Sequence, residues 1–384
     1  VTPGARAAAA ITVLDRVLSG EPAEKSLTNW GRASRFAGSG DRAAVRDIVF
    51  DALRRKRSAA ALGGGMSGRG LVLGLCRMAG EEALFSGEGH APAPAGADEA
   101  GHMPSGAEAL DLPDWLLPGL RDSLGVRLEP VAEALRSRAP VFLRVNLGKL
   151  GRDRAIAALA AEGIAARPHG LAGTALEVTG NARKVQTSAA YREGLVELQD
   201  AASQAVVEAL PLADGMRVLD HCAGGGGKTL AMAARARLRL HAHDIAPRRM
   251  ADLPERAKRA GVAVTLTERP EAAAPYDLVL VDAPCSGSGS WRRDPEGKWA
   301  LTPDRLARVL SEQAAILDRA AAMVGPRGRL AYVTCSLLLA ENAAQVDRFQ
   351  ARHPQGWTRE IEHSFLPLDG GDGFFLCVLA RATA

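Results

Sequence analysis

The sequence predicts an α/β protein: an open, mainly parallel sheet covered by helices, preceded by a small mixed αβ segment and an N-terminal helical domain. Three observations predict it. From Gln199 onward, short apolar runs alternate with loops and helical stretches, the pattern of strands joined by covering helices. One of these runs passes directly into four consecutive glycines and then an Ala/Leu helix. Ahead of Gln199, apolar residues recur at helical intervals near the N-terminus and then in mixed helical and alternating patterns.

At the front, Ile11, Leu14, Val17 and Leu18 share one helical face, as do Val45, Ile48, Val49, Ala52 and Leu53. Ser39 or Asp41 would cap the second of these helices. The Gly/Ala/Pro-rich stretch around 86–108 has few large apolar residues and reads as a linker. Residues 111–135 look helical, with Trp115, Leu116 and Leu120 on one side; 141–145 reads as a strand, 152–162 as a helix and 175–178 as a strand. In element order this segment resembles an RNA-recognition scaffold. The expected organisation is therefore a helical domain over 1–85, a linker over 86–109, an αβ segment over 110–195 and a sheet domain over 196–384. Within the last, strands are predicted at 217–220, 238–243, 262–266, 277–281 and 330–333, with a closing hairpin over 365–380.

The chain has 384 residues, enough for two or three domains, and its 47% hydrophobic and 24% charged content excludes a disordered or fibrous protein. Its longest apolar runs, at 278–281 and 337–340, fall far short of the ~20 residues of a membrane helix. With no signal-peptide pattern at the N-terminus, a cytoplasmic protein without a membrane partner is expected. Five widely spaced cysteines fit neither a disulfide framework nor a zinc site, and the eight histidines show no metal spacing, so free thiols and no metal are expected. The net charge is +4, with the basic excess at the front, where Arg54, Arg55, Lys56 and Arg57 run together. A basic run of this kind is more often a solvated helix end than a phosphate site.

The glycine loop is the first functional signal. Asp220-His221-Cys222-Ala223-Gly224-Gly225-Gly226-Gly227-Lys228-Thr229 joins a strand to a helix, where backbone N–H groups can approach a ligand. A P-loop would need Gly at 222, which is Cys, and the dinucleotide fingerprint fails at Thr229. Asp244 ends the next predicted strand, the position of a carboxylate that binds ribose hydroxyls. A ribose carboxylate without a phosphate-binding signature suits S-adenosylmethionine in a Rossmann-like domain.

The second signal is a pair of thiols. Asp282-Ala283-Pro284-Cys285 and Thr334-Cys335-Ser336 each end a predicted strand, and in open α/β sheets ligands bind beyond those ends. A thiol beside a methyl donor suits methylation at pyrimidine C5. Addition of the thiolate at C6 makes C5 nucleophilic, and loss of the C5 proton later expels the sulfur. Asp282 is placed to assist at the ring's N3 side, and Lys228 or the helix N-terminus would favour the thiolate.

These residues resemble the Sun/Fmu family of RNA cytosine-C5 methyltransferases, within it the type acting on small-subunit ribosomal RNA. The likeness runs from Arg144 to the C-terminus through Arg144-Val145-Asn146, Gln199-Asp200 with Ser203, the loop 220–229, the two cysteine motifs, Glu341-Asn342 and Asp372-Gly373-Phe374-Phe375. The first 60 residues look similar to the RNA-binding factor NusB. The resemblance implies that Cys222, Ala223, Gly224, Gly225, Gly226, Gly227, Lys228, Asp244 and Asp282 bind S-adenosylmethionine. It further implies that Cys335 is the nucleophile, that Cys285 assists product release, and that the enzyme works as a monomer on 16S ribosomal RNA. The family loop reads Cys-Ala-Ala-Pro-Gly-Gly-Lys; here Gly224 and Gly225 replace Ala-Pro. For the acidic residue that holds adenine after the third strand, Glu268 is the nearest candidate.

Trp291-Arg292-Arg293 and Lys298-Trp299 combine rings and cations in the manner of single-stranded RNA contacts. Two other readings remain: a non-catalytic RNA-binding or ribosome-assembly factor, which the two thiols disfavour, and a methyltransferase acting on tRNA, DNA or a small molecule.

Overall fold

The computed structural model describes residues 1–354 and 356–381 and divides into two compact units, one of 1–138 with Trp291–Ala300, the other of Ala139–Ser290 with 301 onward. In the first unit, helices Pro3–Leu18, Ala23–Ala33, Ser39–Arg54, Lys56–Leu62 and Gly68–Ala79 enclose a core that includes Ala10, Val13, Leu14, Val45, Val49, Leu71 and Leu73. Leu14, Val45, Val49, Ala52 and Leu53 of the stripes read from the sequence are in this core, while Ile11, Val17, Leu18 and Ile48 are partly buried against it. The Thr2 hydroxyl accepts from Ala5 N at 3.3 Å to start the first helix, and Gly80, at φ 71°, ends the fifth. Helix Ser39–Arg54 is capped differently from expectation. Gly38 occupies the cap and the Asp41 carboxylate reaches back to its N–H at 3.1 Å.

The helical unit runs on to Arg138, past the boundary drawn at 85 from composition. Arginines organise the intervening stretch in place of apolar burial: Arg69 bonds Glu99 and the carbonyls of Ala93 and Pro94, and Arg77 donates to the carbonyls of Leu62 and Glu99. Asp111, fully buried at a positive φ of 54°, accepts from Arg57 N, Ser58 N and Ser58 Oγ, so helices Leu117–Leu124 and Leu128–Leu135 start from the front unit. The basic run is spent internally, with Arg54 buried and donating to Arg292 O at 2.8 Å.

The Trp291–Ala300 segment corrects the RNA-contact reading. Trp291 and Lys298 are 1% and 2% exposed, Lys298 Nζ donates to Arg54 O, and Trp299 Nε1 donates to Leu53 O at 2.7 Å. Lys298 and Trp299 pack onto the helix Ser39–Arg54, and of the cations named Arg293 stays exposed.

The second unit contains two sheets. In the first, β1 (Val141–Val145), β2 (Ala165–Pro168), β3 (Ala175–Gly180) and β4 (Val196–Leu198) pair antiparallel in the order β2-β3-β1-β4, with helical turns between β1 and β2 and between β3 and β4. This is the β-α-β-β-α-β arrangement of ferredoxin-like domains. The second sheet comprises β5 (Arg217–Asp220), β6 (Arg239–Ala242), β7 (Thr265–Leu266), β8 (Tyr276–Asp282), β9 (Val324–Thr334), β10 (Trp357–Phe365) and β11 (Phe374–Arg381), in the order β10-β11-β9-β8-β5-β6-β7. Strands β7 to β9 are parallel through β6, β5 and β8, and β11 and β10 close the edge antiparallel.

The continuous apolar run of β8 is buried because both faces of the sheet are covered. Helix Pro303–Met323 packs Ile316, Leu317 and Ala320 on one side with Val346 and Phe349; Ala202, Val206, Ala231 and Met232 cover the other. The strand order reverses between β5 and β8, and that switch opens a crevice beyond the strand ends.

Candidate active site

The predicted site residues gather at the carboxyl ends of the sheet strands, with Asp282 the last residue of β8 and Lys228 in the helix Gly227–Ala233 that follows the glycine loop. His221 and Cys222 follow β5, His243, Asp244 and Ile245 follow β6, Glu268 follows β7 and Pro284 follows β8; together they line a cavity of about 510 Å³. That volume lies within the ~300–1,000 Å³ of small-molecule sites. Asp244 is 1% exposed, its Oδ2 accepting from Gly224 N at 2.9 Å and its Oδ1 from Ala246 N, with the exposed Arg249 at 3.1 Å. It therefore both faces the cavity and shapes the glycine loop.

Of the loop residues expected to hold a cofactor, Cys222 lines the cavity and Ala223 is packed with Leu230, Ala242 and Leu253. Gly225 and Gly227 give their carbonyls to Arg256 and Arg144. Gly226 turns the chain at φ 77°, where a Cβ would come within 2.3 Å of Leu253 Cδ1. The support from Arg144 explains the Arg144-Val145-Asn146 motif: the guanidinium, on β1, bonds both Gln199 and Gly227 O, and burial lowers its pKa to about 10.

Two features of the cavity were not read from the sequence as cofactor contacts. The rings of His221 and His243 stack with centroids 5.1 Å apart, and Glu271 joins Glu268 on the wall. Burial, with His243 and Arg319 nearby, pushes His221 down to about 4 and keeps it neutral. Its Nδ1 is buried without a hydrogen-bond partner, an orphaned polar atom at the edge of a cavity sized for a nucleoside. With the Asp244 carboxylate and the exposed Ile245, the residues present fit S-adenosylmethionine.

The thiols meet at the ends of β8 and β9. Cys285 Sγ and Cys335 Sγ are 3.3 Å apart. Lys228 is 8% exposed and its Nζ lies 2.8 Å from Asp282 Oδ2, at the end of β8. Burial opposes the charge of Lys228, but Asp282, helped by Cys335 and Asp220, outweighs it and holds the lysine above its ordinary range. Cys335 is lowered, first by the hydrogen bond from Cys285 and then, against burial and the carboxylates of Asp282 and Glu341, by Lys228. That same bond, with burial, raises Cys285, and burial also raises Cys76, Cys222 and Cys377. Of five cysteines, the one at 335 is lowered.

The sequence reading did not anticipate what holds this pair. Glu341 is fully buried and takes hydrogen bonds from Ser286 N, Ser286 Oγ, Ser336 Oγ and Gln313 Nε2. The available signal was the Glu341-Asn342 pair directly after the apolar run 337–340, which the sequence reading named without a role. Among the described residues, no group of three or more His, Cys, Asp or Glu could hold a metal ion, and no helix is long and apolar enough to cross a membrane.

Comparison with known proteins agrees with this architecture. Residues 112–186 match the RsmF/B-like ferredoxin-like domain, and residues 207–377 match the family described as 16S rRNA methyltransferase RsmB/F. Ribosomal RNA small subunit methyltransferase B of Xanthomonas campestris pv. campestris is 31% identical over 302 residues, covering 73% of this chain and 69% of that protein. The protein of the same name from Xylella fastidiosa is 34% identical over 288 residues, covering 70% and 67%. The chain thus spans about two thirds of the length of these relatives. Among solved structures, PH0851 superposes with a TM-score of 0.76 at 22% identity over 99% of both chains. A methyltransferase homolog from Pyrococcus horikoshii gives 0.62 at 22%, covering 72% of this chain and 97% of its own. A parallel sheet with a nucleoside-sized cavity, a ferredoxin-like neighbour and more than 30% identity over two thirds of a relative place this chain in the RsmB/F family of 16S rRNA methyltransferases.

Proposed function

We propose that this chain methylates C5 of a cytosine in small-subunit ribosomal RNA through a covalent adduct between Cys335 and ring C6. The observation that carries the reading is the pair of sulfurs in contact beside the Lys228–Asp282 ion pair, with Cys335 the lowered thiol. S-adenosylmethionine supplies an electrophilic methyl group, which an unactivated pyrimidine C5 is too weak a nucleophile to take.

The chain's residues provide the activation. Cys335 gives up its proton to water, and its sulfur electron pair forms a bond to C6 while the C5–C6 π electrons move toward C5 and N3. The Lys228 ammonium, hydrogen-bonded to Asp282, lends a proton to N3 as negative charge develops there. The enriched C5 then takes the methyl group, and N3 returns its proton to Lys228. When C5 loses its proton to water, the C5–C6 double bond re-forms, the C6–S bond breaks and the electron pair returns to sulfur. Cys285, 3.3 Å away, donates its hydrogen bond to that departing sulfur. Asp244, His221, His243 and the loop from Cys222 to Lys228 hold the donor, with the Gly226 turn keeping the loop close to β5.

The test is transfer of radiolabelled methyl to a 16S rRNA transcript, with tRNA and DNA in parallel. Cys335→Ala abolishes transfer, and Cys285→Ala leaves an RNA adduct that survives denaturing electrophoresis. Undiminished transfer by Cys335→Ala would overturn the nucleophile assignment. A wild-type protein that binds RNA without methylating it would support the assembly-factor reading instead.

A further inference from the structure

A buried carboxylate is expensive unless its lone pairs are used, and it is usually paired with a cation. Glu341 departs from that pattern. It has no solvent exposure, and the four hydrogen bonds to its carboxylate come from neutral groups. Its Oε1 accepts from Ser286 N at 2.8 Å and Gln313 Nε2 at 3.1 Å, and its Oε2 accepts from Ser286 Oγ at 2.5 Å and from Ser336 Oγ.

The donors have a pattern of their own. Ser286 follows Cys285 in the chain and Ser336 follows Cys335. Gln313 also donates to Pro284 O at 3.0 Å, on the other side of Cys285. A single carboxylate therefore grips the neighbours of both thiols. Ser288 strengthens the bridge, its Oγ lying 3.1 Å from Ser336 Oγ and accepting from Leu337 N. Glu341 is itself fixed: Tyr332 Oη donates to its carbonyl, and the adjacent Asn342 is tied to Thr334 Oγ1 and Ser336 O.

We propose that Glu341 is the positioning residue of the thiol pair, clamping the 285 and 335 loops so that the sulfurs stay in contact. This rests on the reading of Cys335 as nucleophile. The charged and titratable groups facing Cys335 are Lys228 from the helix after the glycine loop, Asp282 from β8, Cys285 from the Pro-Cys loop and Glu341 itself. Lys228 and the Cys285 hydrogen bond favour the thiolate; Asp282 and Glu341 oppose it. The balance leaves Cys335 lowered, and the Cys285 hydrogen bond that contributes most to it depends on the contact the clamp holds.

The experiment compares Glu341→Gln and Glu341→Asp with wild type in the full chain, following iodoacetamide alkylation of the Cys335 peptide against pH by mass spectrometry, alongside kcat and cofactor KM. Glu341→Gln removes the charge and turns one acceptor into an amide donor facing other donors. With the clamp loosened, kcat drops at least tenfold and cofactor KM stays within twofold. Glu341→Asp keeps the charge but shortens the reach, so the sulfurs part, the Cys285 hydrogen bond is lost, the alkylation midpoint of Cys335 rises and kcat falls. A folded Glu341→Asp with wild-type midpoint and kcat overturns the proposal. If Glu341→Asp does not fold, Ser286→Ala decides: a lowered kcat at constant KM supports the clamp, and an unchanged kcat overturns it. Should wild type transfer no methyl to RNA while the midpoint still rises in Glu341→Asp, the cytosine-C5 reading fails and the clamp stands.

Discussion

Lys228 Nζ lies 2.8 Å from Asp282 Oδ2 and 4.9 Å from the centroid of the Phe374 ring, so an ion pair at the end of one strand is backed by an aromatic face from another. The ammonium is also one of the two influences that favour the Cys335 thiolate. Lys228→Met removes that influence, so the pKa of Cys335 rises and the acid limb of the pH–rate profile moves to higher pH. Turnover at pH 7 falls on the order of 10²-fold, the usual worth of a group that assists proton transfer. A profile superposing on that of wild type would disconnect the lysine from the thiol.

The Gly226 turn allows no side chain. At φ 77° an L-residue is strained by roughly 1–2 kcal/mol, and a Cβ would press within 2.3 Å of Leu253. Gly226→Ala is expected to lower the denaturant midpoint and to weaken binding of S-adenosylhomocysteine at least tenfold by calorimetry. Wild-type affinity in this variant would mean that the turn does not shape the donor site.

Asp244 has two tasks, and one substitution separates them. Asp244→Asn keeps one acceptor for the loop but gives up the charge that a ribose diol would meet, so S-adenosylhomocysteine affinity falls tenfold or more, about 1.4 kcal/mol. Thermal stability changes less, because the amide can still accept from Gly224 N. Unchanged affinity would remove Asp244 from the cofactor site.

Asp220 makes stability depend on pH. Burial, with Asp282 and Asp244 adding to it against the Thr229 hydrogen bond, raises its pKa from 3.8 to about 7. The folded state therefore holds this proton more tightly than the unfolded chain. That contribution is fully present below pH 3.8 and is lost as pH rises through about 7. At ~1.4 kcal/mol per unit, the loss is at most about 4 kcal/mol. Asp220→Asn is expected to gain stability relative to wild type between pH 5 and pH 8, read from urea midpoints. A constant difference across that range would show that Asp220 ionises freely in the native state.

The parts of this structure that were legible in the sequence are those where one local signal suffices. The strands predicted at 217–220 and 277–281 became β5 and β8 because their apolar centres, Val218-Leu219 and 278–281, are buried on both faces. The Pro-Cys and Thr-Cys-Ser thiols converged because strand ends in an open sheet share one edge. What escaped the reading depends on partners distant in the chain. The stretch 86–109 looked unstructured because Arg69 and Arg77, not apolar burial, hold it. Glu341 entered only through the Glu341-Asn342 likeness, with no role attached, because its donors, Ser286 and Gln313, lie 55 and 28 positions away. Residues 291–299 carry the composition of an RNA contact, and composition cannot distinguish a ring that stacks on a base from one that packs on a helix.

Trp299 makes that distinction testable. Its Nε1–H donates to Leu53 O at 2.7 Å, and its ring lies 4.4 Å from the Lys298 ammonium and 5.4 Å from that of Lys56. Burial lowers Lys298 to about 7 against the Asp111 carboxylate, and its Nζ donates to Arg54 O. Trp299→Phe keeps an aromatic face but loses the donor, leaving the Leu53 carbonyl without that partner at a cost of about 1 kcal/mol. The loss should appear in thermal unfolding of the full chain, with the affinity for a 16S rRNA fragment within twofold of wild type. The opposite result, a tenfold loss of RNA affinity with stability untouched, would mean that this ring stacks on a base after all.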